Sequence, residues 1–258
     1  MKTRHFLLLA AVAAAPAFAG TFDGGIPAAW RCHGRCGTSP ADGVVPLAPG
    51  GGSAYAWVSS AGSTGQAALP GVGGTGGPSN GSSLRSVSFN AAAGSALDFH
   101  FDYVTSDGAD FGDYAWTRLL DADNTPVALL VTARSNANGN TIPGFDMPAP
   151  EATLTPFPVE VAHGQTLWSP LGTSSDRCYG SGACGATGWV RAQYEIADAG
   201  TYRLEFGVTN WNDHNFDSGL AFDAITVDGA PLPVPQPAQY AMLLAGLALL
   251  GRLKGRPQ

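Results

Sequence analysis

The sequence predicts an all-β protein: a jelly-roll-like antiparallel β-sandwich with long Gly/Pro-rich loops, followed by one short hydrophobic helix at the C-terminal end. Three observations carry this. Apolar and polar residues alternate with period 2 through several short segments, the pattern of strands with one buried face. The 258 residues include 35 Gly and 19 Pro, which oppose helices. Sixteen of the 20 acidic residues are aspartate, a residue of turns rather than of helix faces.

Residues 20–83 are rich in Gly, Ser, Ala and Pro and read as irregular structure or short edge strands, with Trp30 and Trp57 as packing anchors. From Leu84 the pattern sharpens. Arg85, Val87 and Phe89 alternate with Ser86 and Ser88; Phe99, Phe101 and Tyr103 alternate with Asp98, His100 and Asp102. Tyr114–Asp121 and Val127–Arg134 give two more strands around the turn Asp121-Ala122-Asp123-Asn124. Residues 135–187 form a long insertion rich in Pro, Gly and Ser; loops of that length are functional or disordered, and a Cys178–Cys184 bridge and Trp168 are expected to help order this one. Val190, Ala192, Tyr194 and Ile196 alternate, as do Tyr202, Leu204, Phe206 and Val208 after Asp198-Ala199-Gly200. A three-residue loop ending in Gly predicts a hairpin pairing Ile196 with Tyr202, Tyr194 with Leu204 and Glu195 with Arg203. Leu220–Val227 is apolar on both faces, which places it centrally in a sheet.

Charge is asymmetric along the chain. Of the 13 Lys and Arg residues, Lys2, Arg4, Arg252, Lys254 and Arg256 lie in the terminal segments, leaving eight arginines against all 20 acids and a net charge of −12 for the body. Such a surface repels nucleic acid and anionic lipid, tolerates polysaccharide and attracts divalent cations. Four cysteines allow three disulfide connectivities; the local pairs Cys32–Cys36 and Cys178–Cys184 are favoured. Cys32-His33-Gly34-Arg35-Cys36 has the alternative of a zinc site, against which no second ligand pair has finger-like spacing.

The two ends read as transit segments. Lys2 and Arg4 precede an apolar run from Phe6 to Ala15, and Ala17 and Ala19 supply small residues at −3 and −1 of a cut before Gly20. Residues 1–19 are therefore read as a signal peptide and 20–230 as the exported domain. At the other end, Ala238–Gly251 carries no charge and is shorter than the about 20 residues of an ordinary span. Arg252, Lys254 and Arg256 follow it and would stay cytoplasmic, leaving the body outside. Residues 231–258, with Val234-Pro235-Gln236-Pro237, the Leu243–Gly251 run LLAGLALLG and the terminal basic cluster, resemble a PEP-CTERM sorting signal, with Gln236 where the family has glutamate. The resemblance implies recognition by an exosortase, a membrane-embedded cysteine protease of Gram-negative bacteria that make exopolysaccharide. The same tail has been catalogued on some ice-binding proteins; it speaks for sorting and not for activity.

Two acidic loops stand out: Asp107, Asp110 and Asp113 on the first, and Asp213 and Asp217 leading to Asp223 on the second. Short Asp and Asn side chains on Gly-permitted turns can converge on one calcium ion, so a structural calcium is expected if both loops share one end of the sandwich. The plainer alternative is that these residues only cap turns. The stretches FDYVTSDGADFGDYAWTRLLDAD and NWNDHNFDSGLAFDAITVDG resemble paired motifs of one family of PEP-CTERM surface proteins and are loosely similar to MAM-type and concanavalin-like sandwiches. That likeness implies fold and carries over no activity.

No nucleophile elbow, His-Glu-x-x-His, phosphate loop or dinucleotide fingerprint is present in the sequence, and no catalytic residue is assigned. Glu195 and Glu205 are expected on the solvent face, and His100 is expected as a surface strand residue. Trp57, Trp116, Trp168, Trp189 and Trp211 lie near turns or strand ends; the plainer alternative places most of them in the core, and Trp211, flanked by Asn210 and Asn212, is the one expected to be exposed and to stack on a sugar. The expectation is thus a non-enzymatic, exosortase-processed surface or matrix protein associated with exopolysaccharide. A lectin-like carbohydrate-binding module is the alternative, and a secreted glycoside hydrolase comes third.

Overall fold

A computed structural model describes residues 20–108, 111–135, 140–180 and 183–232. The first strands are β1 (Arg31–His33), β2 (Arg35–Ser39), β3 (Tyr55–Ser59), β4 (Pro78–Arg85) and β5 (Phe89–Ala91). The aromatic segments follow as β6 (Ser95–Thr105), β7 (Tyr114–Asp121) and β8 (Pro126–Arg134). The insertion contributes β9 (Asn140–Ile142), β10 (Thr153–Thr155), β11 (Val159–Glu160), β12 (Ala162–His163), a 3-10 turn at Ser169–Ser174, and β13 (Gly185–Ala186). Four strands end the described chain: β14 (Val190–Ile196), β15 (Gly200–Trp211), β16 (Ser218–Val227) and β17 (Ala230–Pro231).

These strands form a jelly-roll-like antiparallel sandwich. One sheet runs β1-β4-β15-β7-β8, with β5 also on β15; the other runs β10-β14-β6-β16-β3-β2, with β13 on β6 and β17 on β16. The period-2 faces meet between them. Leu84, Leu119, Leu204, Phe206 and Val208 from the first sheet pack on Val58, Phe99, Phe101, Leu220 and Phe222 from the second. At the centre, the Phe206 and Phe222 rings stack across the sheets at 3.7 Å, and Phe99 meets Phe206 edge-on at 5.6 Å.

β16 lies between β6 and β3, as its two apolar faces require. Its outer face is covered by the insertion, whose Trp168 and Leu171 join Tyr55, Val104 and Ala221 in a second cluster. On the outer face of the other sheet, Ala67 and Leu69 pack with Tyr114, Trp116 and Trp211 in a third. The two indoles lie against glycines of the central strands. A Cβ on Gly219 would meet the Trp168 ring at 2.5 Å, and one on Gly207 the Trp116 ring at 2.2 Å.

Three expectations need correction. Val190–Ile196 and Tyr202–Val208 are not a hairpin: β14 pairs with β6 and β10, whereas β15 pairs with β4, β5 and β7. The Asp198-Ala199-Gly200 turn carries the chain from one sheet to the other, so Ile196 and Tyr202 both point into the shared core. Alternation reports which face is buried, and an arch between sheets shows the same alternation as a hairpin. Residues 20–83 also hold more order than expected, since β3 and β4 are inner strands of their sheets. Third, Leu84–Phe89 is two strands rather than one, with β4 closing at Arg85 and β5 opening at Phe89. The signal peptide, the sorting motif Val234–Pro237 and the C-terminal helix lie outside the described residues; among those described, no helix is long and apolar enough to cross a membrane.

Candidate functional site

One end of the sandwich gathers polar side chains that the sequence scatters over 160 residues. β6 ends at Thr105, Asp113 directly precedes β7, Asn210 is the penultimate residue of β15 and β16 begins at Ser218. Asp113 is fully buried; its Oδ1 accepts the Trp211 N–H at 2.8 Å and its Oδ2 accepts the Ser218 hydroxyl at 2.7 Å. Asp217 accepts from Ser60 Oγ at 3.1 Å and Asn210 Nδ2 at 3.2 Å on Oδ1, and from Ser174 Oγ at 2.8 Å on Oδ2. Asp107, 1% exposed, accepts its neighbour's Gly108 N–H at 2.6 Å on Oδ1, while Oδ2 has no partner among the described residues. Asn210 is wholly buried, and among the described residues its Oδ1 likewise has none.

Asp107 and Asp113 lie close enough for each to influence the other's protonation. Burial, opposed by the Gly108 N–H and reinforced by Asp213 and Asp217, pushes Asp107 up to about 8. Burial first, then Asp107, holds Asp113 well above the usual carboxylate range. The nearby cation is Arg134, but its guanidinium is spent elsewhere: Nε donates to Gly112 O at 2.8 Å, Nη1 to Gly73 O at 2.9 Å, and the group sits 4.7 Å over the Trp211 ring. Among the described residues, the ion pairs are Arg85–Glu205, Arg118–Glu205 and Arg191–Asp98, and none reaches this cluster.

An aromatic roof closes the end. Tyr179 stands 5.3 Å from the Phe111 ring and 5.0 Å from Phe216, and its N–H donates to Ser106 O. It is carried by the loop that the Cys178–Cys184 disulfide ties off. Both local pairings are therefore as expected, and Cys32–Cys36 is a disulfide rather than a zinc ligand pair.

The predicted site residues thus divide. Asp107, Asp113 and Asp217 converge, with Asp213 half-buried beside them, its Oδ1 taken by the Asn215 N–H. Asp110 lies outside the described residues. Asp223 does not belong: it stands opposite His100, five residues along β16 from Ser218, where Oδ2 accepts the Gly52 N–H at 3.3 Å. The sequence reading missed Asn210 as a cluster member, the hydroxyls of Ser60, Ser174 and Ser218, and Tyr179 as the cover. The one signal available was the density of Ser and Asn at strand ends.

The sugar platform is corrected. Trp211 is 4% exposed, and its indole N–H donates to Thr75 O at 2.9 Å, so it is a packing residue of the third cluster. Asn210 is buried, and Asn212 turns at positive φ to hold Gly77 N and Thr75 O. Glu205 is also not on a wet face. It is 3% exposed and bridges Arg85 and Arg118, each at 2.7 Å. His100 is only half-exposed, and its Nδ1 has no partner among the described residues.

No family model matches the chain, and no curated protein does. Among solved structures it is similar to the K1 cleaved adhesin domain of Lys-gingipain from Porphyromonas gingivalis W83, with a TM-score of 0.38 and 12% identity over 79% of this chain and 92% of that one. The K3 cleaved adhesin domain of the same protein gives 0.33 and 15% over 80% and 94%. The enzymatically active domain of bacteriophage CBA120 tailspike protein 4 gives 0.31 and 11%, over 77% of this chain and 19% of that one.

Proposed function

We propose that this chain is an exported, non-enzymatic β-sandwich that serves as a structural or adhesive component of the cell surface or extracellular polysaccharide of a Gram-negative bacterium. The observation that carries the reading is the closure of both cysteine pairs as disulfides in a sandwich of strongly acidic composition. Disulfides persist in oxidising compartments, and a net-negative body stays dispersed among anionic or neutral glycans. Delivery follows from the termini: signal peptidase cuts after Ala19, the C-terminal segment holds the chain transiently in the membrane, and an exosortase acts at Val234–Pro237. Mass spectrometry of the native protein tests this. A mature species beginning at Gly20 and lacking Arg252–Gln258 is expected; a full-length chain with reduced thiols in the cytosol would end the reading.

A carbohydrate-binding role has one observation in its favour, and it is not a tryptophan. On the outer face of the first sheet, Arg31 stands opposite Arg85, Arg85 opposite Glu205 and Glu205 opposite Arg118. A shallow pocket of about 360 Å3 there is lined by Arg31, Arg85, Arg203, Ser86, Ser88 and Asn124. Three of the eight body arginines around one pocket suit a carboxylate- or sulfate-bearing sugar. Retention on an immobilised uronate polysaccharide that is lost in Arg31→Ala with Arg203→Ala is the expected result; equal retention of the variant removes the role.

A further inference from the structure

We propose that the roofed end cluster is a calcium site, with Asp107, Asp113 and the amide oxygen of Asn210 as its protein ligands and Asp217 as the residue that orients Asn210. The inference does not depend on how the chain is sorted. Its ground is an imbalance of acceptors. The hydroxyls of Ser60, Ser174 and Ser218 and the Trp211 N–H are already committed, yet Asp107 Oδ2 and Asn210 Oδ1 remain buried with no donor among the described residues. A buried acceptor without a partner costs about 1–3 kcal/mol, more when it is charged. Two of them beside facing carboxylates make an arrangement that something positive must complete.

The charged and titratable groups around the cluster narrow what that is. Arg134 is bound to carbonyls and the Trp211 ring, Arg177 lies 5.0 Å over Phe216, and His214 Nδ1 is 2.7 Å from Asn80 Oδ1. Asp213 and Asp217 add negative charge, and the Tyr103 hydroxyl donates to Asp113 O at 2.8 Å. A proton shared by Asp107 and Asp113 would satisfy Asp107 Oδ2 but leave Asn210 Oδ1 as it is. A cation serves both.

The donor chemistry selects the ion. Every candidate ligand is a hard oxygen, with no thiolate or imidazole among them, which disfavours zinc. Among the described residues no three His, Cys, Asp or Glu side chains form a metal-binding group. The set is instead mixed, two carboxylates and an amide completed by carbonyls or water, and calcium accepts six to eight oxygens in irregular geometry where magnesium demands an octahedron. Asp217 Oδ1 holds the Asn210 Nδ2 at 3.2 Å, which fixes the amide and leaves its oxygen free to face the ion.

The test is a melt of the oxidised mature protein at neutral pH, stripped with chelator and then titrated with calcium or magnesium. A calcium-specific rise of several degrees in Tm is expected, saturating with a Kd on the order of 10⁻⁴–10⁻³ M as in other extracellular modules. Asp107→Asn offers an amide that can donate to Asp113, so it should fold, match or exceed the stripped wild type, and lose the calcium rise. Asp223→Asn should keep the rise. A Tm indifferent to calcium up to about 10 mM overturns the site. So does a rise that survives Asp107→Asn, or one abolished by Asp223→Asn, which would put the ion elsewhere. Terbium emission sensitised through Trp211 gives an independent readout, and its absence in the wild type counts against the site.

Discussion

Asp102 shows how one side chain sets a pH dependence. It projects from β6 beneath the insertion, wholly buried, with Oδ1 accepting the Thr187 hydroxyl at 3.2 Å and Oδ2 without a partner among the described residues. Burial, opposed by bonds from Thr187 and Gly188, raises it to about 7. The folded chain therefore keeps this proton to higher pH than the unfolded chain, whose carboxyl titrates near about 4. The stability it contributes is complete below about 4 and is lost as pH rises toward 7. Asp102→Asn should flatten that slope, so the variant gains on wild type by about 1–3 kcal/mol more at pH 8 than at pH 5 in urea melts. Parallel curves would remove Asp102 as the cause. Trp211→Ala is predicted to cost about 3–5 kcal/mol of stability, because the ring is packing against Tyr114 and Arg134. Residue roles were the least legible level in the sequence. Asp107, Asp113 and Asp217 announced themselves by type and spacing, but whether Trp211 or Glu205 faces water depends on which loop covers them, and no local pattern encodes that.

At the scale of elements, the strands were largely legible and their partners were not. Tyr114–Asp121 and the strand ending at Arg134 stand where alternation puts them, joined through the Asp121–Asn124 turn, because both pair locally. The Asp198–Gly200 connection deceived because burial on one face is all that alternation reports. Glu205 makes the difference concrete. In a hairpin with Val190–Ile196 it would face solvent; placed between β4 and β7 it links Arg85 and Arg118 across three strands. Glu205→Ala should cost about 2 kcal/mol in urea unfolding, below the ~3–5 of a fully buried pair because the Arg85 side chain keeps 36% of its exposure. A loss under about 0.5 kcal/mol would mark the bridge as an ordinary surface pair.

For the molecule as a whole, composition carried the class and left the ends of the sandwich open. Gly, Pro and Asp content predicted strands and turns, and within the insertion only the Cys178–Cys184 bridge and Trp168 stood out as sources of order, because its contacts are distant in sequence. Trp168 exemplifies this: its indole N–H donates to Tyr55 Oη at 2.8 Å across 113 positions, and its ring fills the space beside Gly219. The same insertion delivers Tyr179 to the acidic end. Its order and that of the cluster should therefore fall together. Selective reduction of Cys178–Cys184 is predicted to speed amide exchange at Ser106–Gly108 and Asp217–Ser218 while leaving the Phe206–Phe222 centre protected. Uniform loss of protection would mean the bridge serves the whole fold.

The sulfur-tied flap over the carboxylates has a temporal corollary. Inside a reducing cell the flap would hang loose, and a site whose carboxylates are held in place by that cover would hold metal poorly. With the export and the calcium site proposed above, loading would wait for oxidation outside the cell. Maturation of this protein would then have a fixed sequence of export, thiol closure and metal uptake, with the last step reporting that the others are complete.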